Sequence, residues 1–190
     1  MSNEELKKFF FSGLGNFIHL FSIVEDTVRS LLEQTAGVDK QVSLAIFSGL
    51  RTDKAMTNIR RIYQAKGQKF PKELDKAFQQ LSIIAQFRND VLHQRADFSQ
   101  SPPVTGNRKS VLNKSAIRET PITAYTLVAA AEDLGRILLI LGAFLRPDRE
   151  TDDVEFALSE PWQYKPGEQA STGQKQKPPL HPKRKPPPQS

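Results

Sequence analysis

Arg88, Asn89 and His93 stand close together in FRNDVLHQRADF, residues 87–98, and their side-chain types can do chemistry as a set. A guanidinium's planar fork grips a phosphate or carboxylate through paired hydrogen bonds. An imidazole, with an unperturbed pKa of about 6.5, takes or gives a proton near neutrality. The Asn89 amide offers a donor and an acceptor that can orient either neighbour or a phosphate. No metal-ligand cluster accompanies them, and the set suits metal-free cleavage of RNA. In that reaction the ribose 2′-OH attacks its own phosphate, a base removes its proton, and a cation stabilises the charged transition state. The plainer alternative is a structural ion pair beside a hydrogen-bonded histidine.

These residues need a helix to position them. Advancing about 100° per residue from Arg88 places Leu74, Ala77, Phe78, Leu81, Ile84, Ala85 and Leu92 in one apolar stripe with Arg88 in its middle. Arg95 extends the stripe by a further turn, Asn89 and His93 line one border, and Asp90 and Gln94 point away. A buried guanidinium is costly unless it is paired. Glu25, on the first helix, is the candidate acid within the chain. The other option is an interface cleft where Arg88 meets an anion.

The remaining candidates carry less. His19 lies between Ile18 and Leu20 and reads as structural, while His181 sits in a Pro-rich tail. Asp148, Glu150, Asp152 and Asp153 lack calcium-loop spacing and read as a solvated turn. The Gly13–Gly15 pair follows no strand and is not a phosphate loop. The absence of cysteine excludes disulfides and thiolate metal sites and fits a reducing compartment. No metal and no cofactor is expected.

The first 146 residues read as helices. The first runs from Glu4 to Gln34, with Gly13 and Gly15 bending it or delaying its start, and closes at Gly37. The second covers Asp39–Ala65, with a break near 51–54, and ends at Lys66-Gly67. The third is Pro71–Phe98. Residues 99–119 form a loop with short strands around Val104 and Val111. The fourth starts at Thr120-Pro121, as an N-cap followed by proline, runs to Leu145 and is stopped by Pro147. Long helices with short connections predict an all-α, antiparallel four-to-five-helix bundle.

The total charge of +6 is unevenly placed. From Tyr164 onward, Lys165, Lys175, Lys177, Lys183, Arg184 and Lys185 face one acid, Glu168, so residues 1–163 keep only +1 of that total. Nine of the thirteen prolines lie at or after Pro147. Three units follow: a helical domain over 1–146, a partly ordered acidic and aromatic segment over 147–164, of which residues 154–164 are expected to dock on the domain, and a disordered basic tail over 165–190. PLHPKR in that tail has the form of a ligand for an SH3-type groove, which makes an adaptor one reading, although a solubilising, polyanion-binding tail is the plainer one. The start of the chain lacks a signal-peptide pattern, and no apolar run has the length of a membrane span, so a cytoplasmic protein without membrane contact is expected.

RNDVLH resembles the signature of the HEPN superfamily: an arginine, a polar residue such as asparagine, and a histidine a turn or more later, near the end of a long helix in a four-to-five-helix bundle. The resemblance covers residues 10–145 and stops short of the tail. It implies a metal-independent endoribonuclease of toxin or defence type, a two-fold homodimer in which both motif copies share a cleft, and an antitoxin or regulatory partner. It also implies roles. Arg88 binds the scissile phosphate, His93 is the acid/base with its dimer mate complementary, and Asn89 orients them. Arg95 is not part of the motif; it lies one further turn along and is a candidate to hold RNA backbone or support the site. A sister branch, the mannitol-repressor-like proteins, is similar and implies instead a non-catalytic helical regulator or binding module.

Overall fold

A computed structural model describes residues 3–93, 96–97, 104–106, 119–146 and 152–166. Six helices carry it: α1 (Asn3–Ala36), α2 (Lys40–Phe47), α3 (Thr52–Ala65), α4 (Lys72–His93), α5 (Ala124–Leu145) and α6 (Asp152–Ser159). Three short strands lie between α4 and α5: β1 (Ala96–Asp97), β2 (Val104–Gly106) and β3 (Glu119–Pro121). The protein is predominantly helical, as its periodicity predicts, and among the described residues no helix is long and apolar enough to cross a membrane.

α1 is the spine. Phe10, Phe17, Phe21, Val24, Val28, Leu31 and Leu32 are buried along one side of it. Its helical span begins at Asn3 and includes Gly13 and Gly15, so the late start expected from them does not occur. Gly13 lies against Leu127 near the start of α5, where a Cβ would sit 3.8 Å from the Leu127 Cβ. At the other end the Gln34 amide reaches the Leu145 carbonyl (3.5 Å). These two contacts set α1 and α5 parallel. Thr52 Oγ1 meets Glu25 (2.7 Å) and Lys66 Nζ meets the Thr35 carbonyl (2.7 Å), so α3 runs the same way. α4 returns, because Arg60 pairs with Asp75 (2.8 Å) and Tyr63 packs edge-to-face with Phe70 across the α3–α4 turn. The bundle is therefore not uniformly antiparallel.

Several boundaries differ from expectation for local reasons. The helix expected over 39–65 with a break near 51–54 is two helices, interrupted slightly earlier, at 48–51. α2 starts on an Asp39 cap, whose side chain accepts from the Gln41 and Val42 amides, and Gly49 turns the chain at φ +76° before α3. Gly37 and Gly67 adopt positive φ where the helices were expected to close. α4 ends at His93 rather than Phe98, and Ala96–Asp97 pair instead with Val104–Thr105. The strand expected at Val104 is present, whereas Val111 lies outside the described residues. Thr120-Pro121 belongs to strand β3, paired antiparallel with β2. α5 starts later, on a Thr123 cap that accepts from the Thr126 amide while Thr126 Oγ1 accepts from the Thr123 amide.

Candidate functional site

The stripe on α4 is real up to Arg88. Leu74, Ala77, Phe78, Leu81 and Ile84 are buried, Ala85 is half-buried, and Leu92, beyond the arginine, is 45% exposed. Gln80 and Phe87, which lie off the stripe, are buried too. α4 is covered on a second side, and the cover is the segment after α5.

Arg88 is half-buried. Its Cζ lies 5.3 Å from the centre of the Phe21 ring. This seat holds a cation over a π-face, a contact worth about 0.5–2 kcal/mol. Its Nη1 donates to Asn89 Oδ1 (3.1 Å), so the two motif residues touch. Its Nε is buried and has no hydrogen-bond partner among the described residues. Glu25 does not neutralise it. That carboxylate accepts from Thr52 Oγ1 (2.7 Å), and no ion pair among the described residues joins it to Arg88. The expected internal partner is therefore engaged elsewhere, tying α1 to α3.

His93 supplies the last residue of α4, about 7.5 Å further along the axis than Arg88 at 1.5 Å per residue. Arg95 lies outside the described residues. His19, expected as structural, is exposed. Among the described residues no group of three or more His, Cys, Asp or Glu is placed to hold a metal ion.

A second polar constellation, not singled out from the sequence, sits on α5. Asp133 is fully buried. It accepts from the Gln80 amide (2.8 Å) and from the backbone N–H groups of Gln163 (2.9 Å) and Tyr164 (2.9 Å). A turn later, Arg136 donates to the Ala157 carbonyl from Nε (2.9 Å) and Nη2 (2.6 Å), to Pro161 (2.9 Å), and to Glu160. It thereby satisfies carbonyls at the C-terminal end of α6 that the helix leaves without partners. Its Cζ lies 4.7 Å from the Trp162 ring centre, and Asp133 is 3.6 Å away. Residues 154–164 do dock, as expected, by these two charged side chains. The signal was present in the sequence: Asp133 and Arg136 stand three apart inside the apolar run of α5, and buried charges there demand partners.

No family model matches this chain, and no curated protein or solved structure is significantly similar to it.

Proposed function

We propose that the Arg88 end of α4 binds an RNA phosphate and that the protein is a metal-independent endoribonuclease of HEPN type, acting as a homodimer. The observation that carries this reading is Arg88 itself: a half-buried guanidinium seated on Phe21, without an acid partner among the described residues and with its Nε lacking an acceptor. A guanidinium without an acid partner is suited to a phosphate oxygen. Asn89, already bonded to Arg88, holds the fork in place.

In this reading Arg88 neutralises the scissile phosphate while the 2′-oxygen attacks phosphorus. His93 accepts the 2′ proton, and His93 of the partner subunit protonates the departing 5′-oxygen. The products are a 2′,3′-cyclic phosphate and a 5′-hydroxyl. Exposed apolar side chains support the dimer: Phe9, Phe11, Leu92, Tyr125 and Val128 lie where α1 and α5 begin and α4 ends. A toxin or defence role, with an antitoxin-like partner, belongs to the same proposal. The test is cleavage of RNA by the purified protein in EDTA, with Arg88→Ala and His93→Ala beside it. Loss of cleavage in both variants with the dimer retained is expected, and wild-type rates in either variant would remove that residue from the mechanism.

One observation favours a second reading, a non-catalytic regulatory or binding module of the same architecture. Residues 1–163 carry a net charge of only +1, a thin electrostatic surface for a polyanion. In that case Arg88 and His93 serve the dimer interface, and neither substitution changes RNA integrity while both weaken self-association.

A further inference from the structure

The segment that follows α6 reaches the motif through a continuous file of rings. Tyr164 stacks on Phe87 with centroids 4.6 Å apart. Phe87 lies 5.5 Å from Phe17, and Phe17 lies 6.3 Å from Phe21. Phe21 carries the Arg88 guanidinium at 5.3 Å. Phe87, Phe17 and Phe21 are each almost wholly buried, and Tyr164 is 7% exposed. Close-packed rings transmit a displacement, because a gap on one side of a ring forfeits much of the contact energy on that side.

The segment's own attachment is polar and local. Asp133 fixes the amides of Gln163 and Tyr164, Gln80 donates to the Tyr164 carbonyl (2.9 Å), and Arg136 holds the end of α6. Two charged residues of α5 thus determine where the Tyr164 ring sits. That ring in turn covers the buried side of the residue immediately before Arg88.

We propose that residues 157–164 form a latch and that Tyr164 is a positioning residue for Arg88, acting through Phe87, Phe17 and Phe21. With the latch closed, the guanidinium is held over Phe21 with its Nε buried. With it open, Phe87 loses its cover and Arg88 gains rotameric freedom. The consequence for RNA rests on Arg88 being the phosphate-binding residue; the positional claim does not.

The test uses the full chain and the side-chain Nε–H resonance of Arg88, identified by its loss in Arg88→Ala. A buried Nε–H exchanges slowly with water, and the Phe21 ring shifts it upfield. Tyr164→Ala should abolish that upfield displacement and speed exchange, whereas Tyr164→Phe, which keeps the ring, should leave both as in wild type. Tyr164→Leu gives the same reading should Tyr164→Ala fail to fold. Ile59→Ala, a buried change on α3 that leaves every ring of the file in place, lowers stability and should not move the resonance. An unmoved resonance in Tyr164→Ala, or an equal movement in Ile59→Ala, overturns the latch. Binding of a non-cleavable 2′-deoxy oligonucleotide separates the two proposals. Equal affinity of wild type and Arg88→Ala removes the RNA reading, and the resonance still decides the latch.

Discussion

Arg88 and Asp133 are both charged residues withdrawn from water, and their partners differ. Asp133 is enclosed by three hydrogen-bond donors and lies 3.6 Å from Arg136. Removing one side of such a buried network costs about 3–5 kcal/mol. Asp133→Ala should therefore lower the urea midpoint sharply, and a shift no larger than that of a surface substitution would mean the latch contributes little to stability. Arg88 has a ring and one amide oxygen but no acid among the described residues. Arg88→Met keeps the apolar stem and drops the charge, so folding stability should stay within about 1 kcal/mol of wild type. A loss comparable to that of Asp133→Ala would identify Arg88 as half of a structural pair and remove the main support for an anion site.

At the scale of elements, helix identity follows from periodicity and helix ends follow from less obvious chemistry. The apolar rows of α1 and α5 are legible because their three-and-four spacing persists for many turns. The end of α4 is not, because Leu92 continues the row past the point where burial stops. Strands of two or three residues are too short for an alternating pattern to show, and of the three described only the one at Val104 is expected from the sequence. The Arg88–Asn89–His93 spacing was readable, whereas Tyr164 and Phe87 were not, since their pairing depends on a segment folding back along α5. Gly49, at φ +76°, links α2 to α3, and a Cβ there is strained by about 1–2 kcal/mol. Gly15 lies inside α1 with open space around it, and alanine there gains about 0.5–1 kcal/mol of helix stability. Gly49→Ala and Gly15→Ala should thus shift the melting temperature in opposite directions, and shifts of the same sign would contradict these backbone assignments.

For the whole molecule, the last described anchor is the latch, which closes on α5 through Tyr164. Deleting residues 167–190 leaves every contact described above in place and should leave the melting temperature nearly unchanged. A large drop would show that the basic tail contributes to the fold. The same deletion removes five of the six basic residues that follow Tyr164, so polyanion affinity should fall and lose part of its salt dependence. Exposed Phe9, Phe11, Leu92, Tyr125 and Val128 make self-association the expected state, readable by sedimentation. The most direct measurement of the central claim is incubation of wild type and His93→Ala with structured and unstructured RNA in EDTA, followed by end-group analysis. The account predicts fragments ending in 2′,3′-cyclic phosphate from wild type alone. Intact RNA with wild-type dimer, or equal cleavage by His93→Ala, would contradict it.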